Sequence, residues 1–166
     1  VPEPNYNTYK DAIAFAGGTV VSVPTSAVEA FRTDPDKVRA TLTPRTKAIL
    51  LVSPNNPAAS VISQSDQEAF VSLAEEHGLV LIADDIYDLL TYDGIEHVST
   101  AAVPGGRERT LTLNALSKTY AMTGWRTGWV TGPSHLMATV RKLKAAVSGP
   151  ASIVAQHAAL AALTGP

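Results

Sequence analysis

Residues 48–57 read Ala-Ile-Leu-Leu-Val-Ser-Pro-Asn-Asn-Pro, an unbroken apolar run that ends in a polar turn. The same arrangement recurs at residues 79–85, which read Leu-Val-Leu-Ile-Ala-Asp-Asp. A short apolar run with no polar alternation is typical of a strand that is buried on both faces. Such strands occur mainly in parallel sheets covered by helices, so these two segments largely decide the fold class.

Helical patterns lie between and around these strands. Asp34 followed by Pro35 is a typical helix start, and Gly78 is a typical helix stop. The patterns predict helices at residues 7–16, 35–42, 65–77, 134–147 and 152–163, with further strands at 19–23, 110–113 and 130–131. This alternation predicts an α/β fold, a three-layer α/β/α arrangement around a mainly parallel sheet. We expect residues 1–166 to form a single domain.

Composition narrows the function classes. With 45% hydrophobic and 17% charged residues, the 166-residue chain has the balance of a globular protein. Its net charge of −2 and its scattered lysines and arginines give no basic patch, so we expect no nucleic-acid partner and no membrane partner. The absence of cysteine excludes disulfides and thiolate catalysis, and the four dispersed histidines indicate no metal site. We expect a cytoplasmic protein.

Polar side chains follow three of the predicted strands. In open α/β sheets, ligands bind beyond the carboxyl ends of the strands, so these side chains should converge on one crevice. Each has an ordinary explanation when taken alone, as a turn residue, a helix cap or a surface charge. Together they supply amides, carboxylates, a phenol and an amine, from Asn55, Asn56, Asp84, Asp85, Tyr87, Asn114, Ser117 and Lys118.

Four segments resemble one known family. Residues 114–129, Asn-Ala-Leu-Ser-Lys-Thr-Tyr-Ala-Met-Thr-Gly-Trp-Arg-Thr-Gly-Trp, resemble the lysine signature of the class I and II aminotransferases, which are pyridoxal-phosphate enzymes of fold type I. Residues 84–87, Asp-Asp-Ile-Tyr, resemble the family's Asp-x-x-Tyr element, and residues 53–57 resemble its Asn-Pro turn. Residues 4–9, Pro-Asn-Tyr-Asn-Thr-Tyr, resemble the segment that carries its ring-stacking aromatic.

The resemblance implies three catalytic residues. Lys118 matches the lysine that holds pyridoxal phosphate as a Schiff base and later carries the substrate's Cα proton. Asp84 matches the carboxylate that pairs with the ring nitrogen of the cofactor. Tyr87 matches a donor to the ring's phenolate oxygen.

The resemblance also implies further cofactor contacts. Asn56 matches a second donor to the phenolate oxygen, and Tyr6 matches the aromatic that stacks on the ring. Arg126 matches a phosphate ligand, a role that suits the fork of donors on a guanidinium. Ser117 is a candidate for the phosphate because Ala115 stands where many relatives carry a phosphate-binding serine.

The resemblance extends over a large domain only. Ala58-Ala59 after Pro57 and Asp85 in place of the usual glutamate are smaller departures from the family pattern. We expect the family's phosphate-cradling turn to lie before residue 1, and its small domain, which binds the substrate carboxylate, to lie after residue 166. The family dimer completes each site, so we expect a homodimer in the full-length protein.

Four functional hypotheses remain open from the sequence. The first is an aminotransferase that moves an amino group between an amino acid and a 2-oxo acid. The second is another fold-type I pyridoxal-phosphate enzyme, such as a decarboxylase, lyase or oxidase. The third is a pyridoxal-phosphate-sensing regulatory domain, and the fourth is an inactive fragment. The same residues serve the first two, since the fold does not determine the reaction.

Overall fold

The computed structural model describes residues 1–165 and contains two sheets. The main sheet has four strands in sequence order, and a separate parallel pair lies near the N-terminus. The strands of the pair are β1 (Pro2–Glu3) and β2 (Val23–Pro24), and those of the main sheet are β3 (Ala48–Val52), β4 (Val80–Asp84), β5 (Thr110–Ala115) and β6 (Gly128–Thr131). The first three strands of the main sheet run parallel and β6 is antiparallel to β5, so the prediction of a mainly parallel sheet is confirmed.

Across residues 1–165, six α-helices connect and flank the strands. They are α1 (Thr8–Phe15), α2 (Pro35–Arg39), α3 (Gln64–Glu76), α4 (Leu116–Thr119), α5 (Ser134–Val147) and α6 (Ile153–Thr164). Short 3-10 turns occupy Ala27–Glu29 and Thr123–Trp125. Helix α2 begins after Asp34, whose side chain accepts a hydrogen bond from the Asp36 amide at 2.9 Å, as the N-cap prediction requires.

The core lies between α3 and one face of the main sheet. Phe70 and Ala74 of α3 are fully buried against the sheet residues Ile49, Leu51 and Leu81. The helix starts where the Ser63 hydroxyl accepts a hydrogen bond from the Asp66 amide. This packing fixes β3 and β4 side by side, and it determines where the polar residues at their ends lie.

The opposite face of the sheet is covered less closely. Helix α5 has no buried residue, and α6 buries only Ala155. A cavity of about 770 Å³ separates β5 and β6 from α5, lined by Leu113, Val130, Met137 and Val140 among others. The α/β class is confirmed, and the second helix layer is loosely packed within the described residues.

One predicted strand is largely wrong. Residues 19–22 form no strand, and only Val23 of the predicted segment pairs with β1. Val21 is half exposed, so its β-branched side chain gains little from a sheet. Helix α2 also ends at Arg39 rather than at residue 42. Within residues 1–165, none of the helices combines the length and apolar character that crossing a membrane requires.

Candidate functional site

The carboxyl ends of three parallel strands lie level with one another. Val52 pairs with Asp84, and Asp84 in turn pairs with Leu113 of β5. The turns that follow these strands therefore meet at one edge of the sheet, as the sequence predicts. Five of the seven predicted site residues lie in these turns or directly next to them. They are Asn56, Asp84, Tyr87, Ser117 and Lys118.

Asp84 receives two hydrogen bonds at the end of β4. The Tyr9 hydroxyl donates to Oδ2 at 2.6 Å, and the Ile86 amide donates to Oδ1 at 3.1 Å. Burial raises the pKa of Asp84 above its ordinary value, and these two hydrogen bonds offset part of that rise. Burial and the adjacent carboxylate also raise the pKa of Tyr9, so the shared proton stays on the phenol. Asp84 is thus a fixed, largely buried acceptor.

Asn56 and Tyr87 contact each other across the strand ends. The Asn56 Nδ2 donates to the Tyr87 hydroxyl at 3.2 Å. The turn that carries Asn56 is held by Asn55, whose Oδ1 accepts from the Ala58 amide at 3.1 Å. Because Tyr87 is the acceptor in this pair, its own O–H can donate to a further acceptor. The pair can therefore present two donors to one anionic oxygen.

Lys118 extends from the short helix α4. The helix is anchored by Leu116, which is fully buried, while Lys118 itself is exposed. Its Nζ lies 5.7 Å from the centre of the Tyr87 ring. An ammonium at this distance is within range of a cation–π contact. The structure thus brings the amine, the phenol and the Asn56 amide together.

Tyr6 reaches the same site through Tyr9. The two rings meet edge to face, with centroids 5.8 Å apart and planes at 82°. Because the Tyr9 hydroxyl is hydrogen-bonded to Asp84, Tyr9 connects the ring of Tyr6 to that carboxylate. About half of the Tyr6 surface is exposed, which leaves a flat ring open to a ligand.

Arg126 and Ser117 are the two predicted phosphate ligands. Arg126 is exposed, has a left-handed φ of 52°, and donates from Nη1 to the Thr123 carbonyl at 2.7 Å, within its own loop. Ser117 is half-buried in α4, next to Lys118. Their roles at a phosphate stay predictions.

Tyr9 is a site residue that the sequence reasoning missed. Its position in a predicted helix gave no reason to connect it with a carboxylate on a distant strand. The available signal was its spacing from Tyr6, which lies three residues earlier in the turn that leads into the helix, where the Tyr9 amide donates to the Tyr6 carbonyl at 3.1 Å. The aromatic pair of residues 4–9 therefore forms a unit, with one ring exposed and the other bonded to Asp84.

The strand ends border two open spaces. Asp84, Asn114 and Ala115 line the cavity of about 770 Å³ under α5. Asn56 and Tyr87 line a second cavity of about 420 Å³. Both volumes are in the range of small-molecule sites.

Comparison with known proteins points to a single family. The family model described as aminotransferase class I and II matches residues 1–166. The chain is 43% identical over 166 residues to the arginine–pyruvate transaminase AruH of Pseudomonas aeruginosa, and 42% identical over 164 residues to the aspartate/prephenate aminotransferase of Thermus thermophilus. These matches cover 100% and 99% of the chain, but only 42% of each relative, so the chain spans less than half of their length.

Solved structures agree with the sequence matches. The aromatic aminotransferase of Pyrococcus horikoshii superposes with a TM-score of 0.95 at 36% identity, over 99% of this chain and 44% of its own. The aspartate aminotransferase of Thermus thermophilus with maleate gives a TM-score of 0.93 at 40% identity, over 98% of this chain and 42% of its own.

Proposed function

The chain belongs to the class I and II aminotransferases, a family of pyridoxal-phosphate enzymes, and from this membership we propose that it is the cofactor-binding part of an aminotransferase. The enzyme transfers an amino group between an amino acid and a 2-oxo acid. The observation that carries the proposal is the convergence of Asp84, Asn56, Tyr87 and Lys118 at the end of three parallel strands.

The chemistry of these side chains fits pyridoxal phosphate. The cofactor has a ring nitrogen that is protonated when active, a phenolate oxygen and an aldehyde. Asp84 is a partly buried carboxylate whose pKa is raised by burial, and a cation beside it would relieve the cost of that burial. Asn56 and Tyr87 supply paired donors, and Lys118 supplies an amine beside them. The proposal is that one ligand engages all four groups at this edge of the sheet.

Lys118 would hold the cofactor through Nζ, and once the substrate amine has displaced it, the freed Nζ would move the proton at the substrate's Cα. When bound, pyridoxal phosphate supplies an electron sink for the charge that develops at that carbon. Lys118 is suited to both tasks because it is exposed, while Leu116 anchors its helix in the core. Its Nζ lies 5.7 Å from the centre of the Tyr87 ring, where a cation–π contact can stabilise the amine.

Asp84 keeps the ring nitrogen protonated. A carboxylate beside the nitrogen stabilises the cationic form through charge and a hydrogen bond. The bonds from Tyr9 and the Ile86 amide hold Asp84 in one orientation and favour its ionised form. Asn56 and Tyr87 donate to the phenolate oxygen, and their mutual hydrogen bond orients both donors.

Three further contacts complete the proposal. Tyr6, whose side chain is about half exposed, stacks on the cofactor ring. Arg126 binds the phosphate, for which its guanidinium must share or leave the Thr123 carbonyl. Ser117 adds a hydroxyl to the phosphate, in place of the serine that is absent at Ala115.

We propose the substrates only as classes, an amino acid and a 2-oxo acid. Relatives with almost the same identity carry names for arginine–pyruvate and for aspartate/prephenate activities, so identity does not select a substrate. We also propose a homodimer, which is consistent with the exposed apolar side chains of Leu89 and Ile95 near the site. A cytoplasmic location fits substrates that are small polar metabolites.

The test is amino-group transfer by the purified full-length protein, loaded with pyridoxal phosphate and screened against pairs of amino acids and 2-oxo acids. We expect transfer with at least one pair. Lys118→Ala should lower the rate by about 100-fold or more, because it removes both the attachment point and the proton carrier. Lys142→Ala is the matched control, since Lys142 is an exposed lysine of α5. Equal rates in the two variants, or release of carbon dioxide without transfer, would overturn the proposal.

A further inference from the structure

Asp88 connects the two segments that carry the candidate catalytic residues. It lies one residue after Tyr87, and its carboxylate accepts two hydrogen bonds from the lysine segment. Asn114 Nδ2 donates to Oδ2 at 2.8 Å, and the Thr119 hydroxyl donates to Oδ1 at 3.1 Å. Asn114 belongs to the end of β5 and Thr119 is the last residue of α4, so the two bonds bracket Lys118.

The lysine helix is otherwise held mainly through Leu116, whose amide donates to the Thr127 carbonyl at 3.2 Å. Helix α4 has four residues, and of these only Leu116 is buried. Lys118 is exposed and its side chain is long, so the path of the helix decides where Nζ can reach. The bond to Thr119 holds the residue next to Lys118, and the bond to Asn114 holds the start of the turn. Asp88 itself is fixed, since its amide donates to the Asp85 carbonyl at 2.9 Å.

We propose that Asp88 is a positioning residue that sets the reach of Lys118 toward the ring site beside Tyr87. It touches neither substrate nor cofactor and acts through Thr119 and Asn114. This inference rests on the proposed function, because the position of Lys118 matters only if that amine attaches the cofactor and moves a proton. Small displacements of a reacting group lower rates steeply, by about 100-fold for 1 Å.

Three variants and a control in the full-length protein test the proposal. Asp88→Ala removes both bonds, and Thr119→Val removes one without changing the side-chain shape. Asp88→Asn retains an acceptor for Asn114, and its amide can donate to the Thr119 oxygen, but it loses the bond that Oδ1 accepts from the Leu89 amide at 2.9 Å. Glu96→Ala is the control, an exposed carboxylate in the same connection between β4 and β5.

Two measurements separate positioning from a general loss of structure. The first is the rate at which the cofactor-free protein takes up pyridoxal phosphate, followed by the absorbance of the lysine-bound form. The second is kcat and KM for the transfer reaction. For Asp88→Ala we expect about tenfold slower uptake and about 10- to 100-fold lower kcat, with KM within about threefold of wild type. Asp88→Asn should be clearly less impaired than Asp88→Ala, and Glu96→Ala should stay close to wild type.

The double variant supplies a further criterion. If Asp88 acts through Thr119, adding Asp88→Ala to Thr119→Val should lower kcat by a smaller factor than Asp88→Ala does in wild type. The reason is that substitutions at two contacting residues do not have additive effects. Should Asp88→Ala fail to fold, Thr119→Val alone must still slow uptake and lower kcat.

The positioning role is wrong if Asp88→Ala keeps wild-type uptake and kcat, if Asp88→Asn is as impaired as Asp88→Ala, or if the two effects add fully. A wild-type protein that neither takes up pyridoxal phosphate nor transfers amino groups would instead refute the proposed function.

Discussion

The Tyr9 hydroxyl donates a 2.6 Å hydrogen bond to Oδ2 of Asp84, although 75 residues separate the two in sequence. The bond joins the first helix to the end of a central strand, and it places a second aromatic ring, Tyr6, edge to face with Tyr9. The contact therefore links the carboxylate proposed to hold the ring nitrogen with the ring proposed to stack on the cofactor. It also favours the ionised form of Asp84.

Tyr9→Phe should weaken catalysis most at acidic pH. Loss of the Tyr9 hydrogen bond raises the pKa of Asp84 further, so the carboxylate becomes protonated at a higher pH than in wild type. The acid limb of the kcat/KM profile should shift to higher pH, with about a fivefold loss near neutrality. Tyr92→Phe, which removes the hydroxyl of a largely exposed tyrosine, is the control. An unchanged acid limb in Tyr9→Phe would show that the bond does not tune Asp84.

Asp84→Asn should abolish most turnover while leaving the cofactor attached. The amide cannot stabilise a positive charge on the ring nitrogen, so the electron sink is lost. Removing a preorganised electrostatic contact of this kind lowers rates by about 100-fold or more. Steady-state kinetics give the rate, and absorbance of the lysine-bound form reports attachment. Turnover near wild type would refute the role given to Asp84.

The same substitution should change how stability depends on pH in the cofactor-free protein. Because the folded-state pKa of Asp84 is raised, its contribution to stability is largest below the pKa in the unfolded chain and is lost as pH rises through the folded value. Asparagine does not titrate. The free energy of unfolding of Asp84→Asn, relative to wild type, should therefore increase between about pH 3 and about pH 7. Urea denaturation across this range measures it, and a flat or falling difference would contradict the assigned burial.

Phe70→Ala should destabilise the protein because Phe70 is fully buried between α3 and the sheet. The expected loss is about 3–5 kcal/mol in the free energy of unfolding. Phe15→Ala is the matched control, since Phe15 is 95% exposed, and it should change stability by about 0.5 kcal/mol or less. Urea denaturation of both variants provides the comparison. Similar losses in the two would mean that the core is not where the structure puts it.

The sequence predicted the parts of the site that depend on strand ends. Apolar runs at residues 48–52 and 79–83 predict two buried parallel strands, and the polar residues after such strands must share an edge. No knowledge of side-chain geometry is therefore needed to predict that four polar side chains converge there, those of Asn56, Asp84, Tyr87 and Lys118.

Contacts across long sequence separations could not be predicted in this way. The bonds of Asp84 to Tyr9 and of Asp88 to Asn114 depend on how a helix and a turn pack, which local patterns do not encode. The strand predicted at residues 19–23 was largely wrong for a related reason. Its β-branched residues have the right propensity, but the strand that could pair with them is only two residues long.

The most direct test of the central claim is to find which residue holds pyridoxal phosphate. The full-length protein is loaded with the cofactor, treated with borohydride to make the bond permanent, digested and analysed by mass spectrometry. The account predicts a reduced pyridoxyl adduct on Lys118, absent in Lys118→Ala and present in Lys142→Ala. An adduct on another lysine, or the same labelling in Lys118→Ala, would contradict it.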